Sequence, residues 1–405
     1  MSAGSSSFSW VAVDAAVVRG DANGAAAAVL DGLRAVDFDQ RKAFFSQLSS
    51  VLLRQSRATE TANCAAEAGK ILWGMPEVRH TQSFASDVTG EALLLAAAVG
   101  AAYAAAGNLD QAVTYDAEVL RSSVFFTYDG FSPLDRLACV ARVLEASRVS
   151  GNARLADVAM QRGMSDYHSL AHLSRHNNSG DEEAQRHRDA VVHSYLLERG
   201  LYRQDRQDYL LAVQSFLALY DSSGDVAALH RAALCALCTR AGEAERLALL
   251  RAVLQRYATA TAALPLPLHH HILRVCDGHL LTPADMEDLL TAAGAYLPTH
   301  VLHNALREHN ILLLAHTLEC VHWQSLLAHM GEQDMTESEL HDLLVSMVQG
   351  QRLGVAIHHD TGFIEFACDN SGAAAHAPIT DADALNRIAA AAAAISKAHP
   401  ELLRC

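Results

Sequence analysis

Proline is scarce in this chain, with eight residues in 405, so few positions forbid the backbone ladder of a helix. Apolar runs of membrane length are missing too. The most apolar window, Ala92–Ala106 (ALLLAAAVGAAYAAA), is shorter than the roughly 20 residues a spanning helix needs, and alanine dominates it. It reads as a buried helix of a soluble protein. Basic residues are outnumbered, 31 Lys and Arg against 46 Asp and Glu, for a formal charge of -15. That is the wrong sign for a surface that must attract a phosphate backbone, and it argues against nucleic acid as a default partner. The N-terminal MSAGSSSFSWVAVDAAVVRGDANG has no basic n-region and places Asp14 and Asp21 where a signal peptide is apolar, so neither export nor membrane attachment is expected.

Catalytic signatures are also lacking. The sequence contains no GxxxxGK[ST] phosphate loop, no GxGxxG, no GxSxG elbow and no HExxH. His303 and Glu308-His309 approach the inverted zincin order, but the first histidine is two positions too early to share a helical face with Glu308 in the required way. His269-His270-His271 includes a His-x-His element without the Ser-x-x-Asp that a metal-dependent isopeptidase places after it. Eight cysteines are scattered without a framework, which suits reduced thiols in the cytoplasm or nucleus. Cys235-x-x-Cys238 stands alone inside a helical string, and two small core residues are the better account of it. Core packing likewise explains Trp73 and Met160 among their apolar neighbours. Cys405 ends the chain and is not the fourth residue from it, so prenylation is not indicated.

What is present is overwhelmingly helix. From about residue 25 to 295, alanine- and leucine-rich segments of helical length alternate with short Gly, Asn and Asp turns. Glu91–Leu120 is one such pair, with its turn at Gly107-Asn108, and Asp135–Gly163 is another, with its turn at Gly151-Asn152. A third pair runs through Tyr195–Arg203 and Tyr209–Tyr220, and a fourth through Val226–Arg240 and Ala244–Tyr257. The spacing is too irregular for a strict tetratricopeptide array, but antiparallel pairs that bury their faces on their neighbours make a superhelical stack by the same physics. The polar run Ser174–Asp189 (SRHNNSGDEEAQRHRD) breaks the plan and predicts a solvated loop.

After Gly331 the period changes. Thr336 and Glu339 have the spacing of a capping box and open a helix with Leu340, Leu343, Leu344 and Met347 on one side, which Gly350 ends. Leu353, Val355 and Ile357 then alternate as a strand, HHDTG turns the chain, and Gly362–Ala367 forms a second strand. Together these make a winged-helix pattern. Its recognition-like helix carries Glu337, Glu339 and Asp342 with no lysine or arginine, the opposite of a major-groove reader. A polar linker, Cys368–Pro378, leads to a last helix from Thr380 to Lys397 with Leu385, Ile388, Ala392 and Ile395 on one seam that needs a partner.

Arg307–Met330 (REHNILLLAHTLECVHWQSLLAHM) is rich in histidine. On a helical wheel, Ile311, Leu314, Leu318 and Val321 fall on one side and His309, Leu313, His316 and Cys320 on the other. His316 and Cys320 at i and i+4 have the spacing to share a zinc ion, yet a closed site needs two more ligands that no nearby spacing supplies.

These residues carry a family resemblance. Ala305–Gly331 resembles the segment of PCI-domain subunits in which an EHN helix, here Glu308-His309-Asn310, leads into a winged helix, and Leu343–Phe366 is similar to the third helix and wing of that family. The resemblance implies a mainly α fold: a helical-repeat arm over about 1–200, a PCI domain over about 201–370 whose winged helix begins near 301, and a linker and C-terminal helix over 371–405. It implies a noncatalytic scaffold without cofactor or metal, in the complex that removes Nedd8 from cullin-RING ubiquitin ligases in cytoplasm and nucleus. Its expected partners are other PCI and metalloprotease-fold subunits and the cullin-RING ligases. Leu340, Leu344, Val355, Ile357, Ile364, Leu385, Ile388 and Ile395 are its expected interface residues. The proteasome lid, which has a related EHN subunit, is the alternative. Further off stand an independent metalloenzyme using His309, His316 and Cys320, and a winged-helix nucleic-acid binder.

Overall fold

The computed structural model describes residues 8–366, apart from 37–39, 57–58, 76–77, 79–89, 123–130, 175–181, 240–243, 260–265, 295 and 333. The expected linker and C-terminal helix, with Leu385, Ile388 and Ile395, lie outside the described residues. The chain divides into two compact units, Met1–Gln207 with Ala218–Ser223, and Asp208–Leu217 with Gly224–Cys405. Among the described residues, no helix is long and apolar enough to cross a membrane.

The first unit is a stack of helices: α1 (Trp10–Val18), α2 (Ala22–Ala35), α3 (Arg41–Ser56), α4 (Thr59–Trp73), α5 (Gly90–Ala105), α6 (Leu109–Arg121), α7 (Pro133–Ser150), α8 (Ala153–Ser174) and α9 (Glu182–Asp205). The two expected Gly-Asn turns work by one chemistry. Gly107 and Gly151 take left-handed φ of 78° and 72°, which closes the preceding helix at no Cβ cost. Asn108 and Asn152 then cap the next helix, their side-chain oxygens accepting from the N–H groups of Gln111 and Leu155. Trp73 and Met160 are core residues, as expected.

Helix α7 joins three neighbours through three arginines six residues apart. Arg136 pairs with Asp166 on α8 at 2.6 Å, Arg142 with Asp116 on α6 at 2.7 Å, and Arg148 with Glu198 on α9 at 3.1 Å. A spacing of six rotates each successive arginine by about 120° around the helix, so each one faces a different partner. Close helix approach also needs small residues. A Cβ on Gly163 would sit 2.7 Å from the ring of Tyr195, and one on Gly100 would sit 2.6 Å from the Asp116 carboxylate.

The polar run Ser174–Asp189 is not a loop throughout. Residues 182–189 form the first turns of α9, which continues unbroken to Asp205. Glu182 and Glu183 place negative charge at the helix N-terminus, and Gln185 donates to Asp189 one turn on at 2.8 Å. Favourable end charge and i,i+4 pairing hold a helix that has little apolar surface to bury. Residues 175–181 of the run lie outside the described residues.

Helix α10 (Tyr209–Ser223) has residues in both units. The second unit continues with α11 (Val226–Cys238), α12 (Ala244–Thr259), α13 (Leu266–Cys276), α14 (Pro283–Ala293) and α15 (Thr299–Ala315), packed in succession. The last described elements of this unit are β1 (Cys320–His322), α16 (Trp323–Met330), α17 (Glu337–Gln349), β2 (Val355–His358) and β3 (Phe363–Phe366). The capping box of α17 forms as the spacing predicts: Thr336 Oγ1 accepts from the Glu339 N–H, and the Glu339 carboxylate accepts from the Thr336 N–H at 2.8 Å.

The sheet is antiparallel in the order β1-β3-β2, with Val321 opposite Ile364 and Ile357 opposite Ile364. Strand β1 replaces the far end of the helix drawn through Val321. Helix α15 stops at Ala315, where the N–H groups of Thr317 and Leu318 close on the Leu314 carbonyl, and the chain extends to pair with β3. The apolar positions read from the wheel keep their burial even so, because Val321 points inward from a strand and Ile311 and Leu314 from a helix. Leu340, Leu344 and Ile364 are at most 2% exposed and fill this subdomain's own core. Their side chains therefore serve this subdomain's own core and offer little exposed area. Val355 and Ile357 pack only partly against the core, on the edge strand β2.

Candidate functional site

The EHN triplet on α15 is a three-way joint within the second unit. Asn310 is fully buried and addresses both polar groups of one residue: its Oδ1 accepts from the Leu281 N–H and its Nδ2 donates to the Leu281 carbonyl, each at 2.9 Å. This fastens the loop between α13 and α14 to α15. Glu308, one side of the helix away, holds the two terminal nitrogens of Arg352 in a forked pair, with Nη2 at 3.1 Å from Oε1. Arg352 follows α17, so the pair ties the end of that helix to the same α15 turn.

His309 completes the joint. Its Nε2 donates to the His279 carbonyl at 3.2 Å, while Nδ1 lies 3.5 Å from the guanidinium of Arg246 on α12. With Nε2 carrying the proton, Nδ1 faces a cation as an acceptor. Burial, reinforced by the Arg246 charge and opposed by the His279 hydrogen bond, lowers the imidazole to about 4, so the ring stays neutral at physiological pH. Arg246 is itself buried, and burial lowers it to about 10. Among the described residues, its Nε and Nη2 meet no hydrogen-bond partner.

A second clamp lies one turn earlier. Glu332, in the loop after α16, receives Arg307 at 2.5 Å and His303 at 2.9 Å from α15. Burial alone would raise this carboxyl, but the His303 and Arg307 hydrogen bonds outweigh it and hold the group at about 2. Glu308, Arg307 and Glu332 are thus consumed in fixing the segments after α16 and α17 on α15. Sequence reasoning placed the EHN helix but not Arg246, Arg352, Glu332 or Leu281, whose separations from α15 leave no periodic trace.

The candidate metal ligands are not brought together. His309 is occupied inside the joint, His316 caps the end of α15 and is exposed, and Cys320 is exposed on β1. Among the described residues, no group of three or more His, Cys, Asp or Glu is arranged to hold a metal ion. The histidine triplet also diverges: His271 is buried with its Nδ1 3.3 Å from Asp285 and its Nε2 3.5 Å from Asp288, whereas His269 meets the ring of Tyr257. Cys235 and Cys238 are buried on α11, and burial raises both thiols, Cys238 to about 12. They remain protonated packing residues.

The stretch that carries the three-stranded sheet is acidic. Residues 316–366 contain Glu319, Glu332, Asp334, Glu337, Glu339, Asp342, Asp360 and Glu365 against Arg352 alone, and Arg352 is held by Glu308. Such a surface repels a phosphate backbone and suits protein contact. No protein-family model matches the chain, and no curated protein matches it.

Proposed function

We propose that the chain is a noncatalytic scaffold subunit of the COP9 signalosome, the complex that removes Nedd8 from cullin-RING ubiquitin ligases, in the place of its subunit 4. The observation that carries this reading is the EHN joint: three consecutive side chains fix a winged helix onto a run of helix pairs, an arrangement whose product is a rigid connection and not a reaction centre. A helical stack ahead of that joint supplies surface for partners. Among the described residues β2 is an edge strand, where neighbouring PCI subunits would pack edge to edge.

The same EHN helix is shared with a PCI subunit of the proteasome lid, which is the second reading. Affinity purification of the chain from its native cell, followed by mass spectrometry, separates the two. The expected result is co-purification of several PCI subunits, two metalloprotease-fold subunits and cullins. Recovery of proteasome lid proteins in their stead would transfer the assignment to the lid, and recovery of neither set would overturn both.

A further inference from the structure

Between α17 and the β2-β3 wing lies a cleft of about 310 Å3, walled by Glu337, His341 and Leu344 on one side and by Ile357 and His359 on the other. Trp323 also lines it. Gly362 allows this shape: its φ is 74°, and a Cβ there would come within 3.0 Å of the Trp323 ring. The floor is apolar, formed by Leu340, Leu344 and Ile364, while the rim is polar. A volume at the low end of ligand pockets admits about one large aliphatic or aromatic side chain.

Charge decides what surrounds that side chain. Glu337 is exposed on the rim, Asp342 is exposed beside His341, and Asp360 is exposed at the wing tip. The one arginine of residues 316–366 is turned away into its pair with Glu308, so no lysine or arginine within that stretch offsets these carboxylates. We propose that this cleft is a docking site for a basic segment of a partner protein, which inserts one apolar side chain between α17 and the wing and sets flanking lysines or arginines against Glu337 and Asp342. The assignment is independent of which complex the chain joins, and its test uses the purified chain alone.

The probe is a fluorescein-labelled nine-residue peptide of lysines with one central leucine, titrated onto the full chain at low salt. Polarisation should report binding that falls about tenfold when the leucine is replaced by serine, and about tenfold in a Glu337→Lys/Asp342→Lys variant, whose two exposed positions leave the core untouched. Unlabelled peptide should shift the indole emission of the native chain, and Trp323→Phe should remove that shift while polarisation still reports binding. The proposal is overturned if an all-glutamate peptide or an oligothymidylate binds as well as the lysine peptide. It is equally overturned if the double variant binds undiminished, if the serine peptide binds as tightly as the leucine one, or if no binding occurs at low salt.

Discussion

Asn310 satisfies the N–H and the carbonyl of Leu281 at once, in a site closed to water. Asn310→Ala strands both groups, and a loss of about 3 kcal/mol in unfolding free energy is expected from two buried unmet partners. Urea denaturation of the two proteins measures it, and a loss below about 1 kcal/mol would show that the loop re-forms its bonds elsewhere. His309 makes a pH-dependent contribution. Its folded-state value, about 4, lies below the ordinary 6.5, so between these limits the unfolded chain binds a proton that the folded chain does not. Stability is complete above pH 6.5 and declines as pH falls toward 4, by about 3 kcal/mol for this one group. His309→Gln should flatten the native curve by that amount over this window. Glu332 acts in a lower window, from 4.5 down to about 2, so its loss is separable from that of His309. The EHN residues were legible in sequence as three adjacent letters, whereas what they touch was not, because Leu281, Arg246 and Arg352 come from separate elements brought together only by packing.

At the scale of elements, α7 is the hub of the first unit, and its middle arginine has the most deeply buried partner of the three. Asp116 is fully buried, and burial raises its carboxyl while Arg142 pulls it back down. Arg142→Met removes the cation and leaves an acid in a dry site, with an expected loss of about 3–5 kcal/mol. Adding Asp116→Asn should recover part of it, since the uncompensated charge is gone. Calorimetry on the single and double variants decides the matter: a double variant no more stable than the single one would mean that Arg142 acts by packing its stem. Helix boundaries in this region were readable from Gly-Asn turns because the turn chemistry is local. The start of α9 was missed because residues 182–189 are polar on every side, and end charge and i,i+4 pairs, not burial, hold them helical. Strand β1 was missed for a related reason: three residues are too few to show alternation, and their partner β3 lies more than forty positions along the chain.

For the whole molecule, the order of helices followed by a small sheet was written in patterns that repeat over a turn or two: alanine-rich amphipathic runs, capping boxes and a period that drops from 3.6 to 2. Division into two units was less visible, because residues 208–217 belong with the second unit and 218–223 with the first although one helix contains them all. Each unit has its own buried residues, Leu93, Leu144 and Tyr195 in the first and Leu229, Ile311 and Met347 in the second. Separate cores predict separate cooperative transitions. In a calorimetric scan of the full chain, Arg142→Met should therefore lower one transition and Asn310→Ala the other, and the combined variant should show both shifts, adding to within about 0.5 kcal/mol. If both substitutions lower a single shared transition, the two units unfold as one and the joint at α15 stabilises the chain well beyond its own unit.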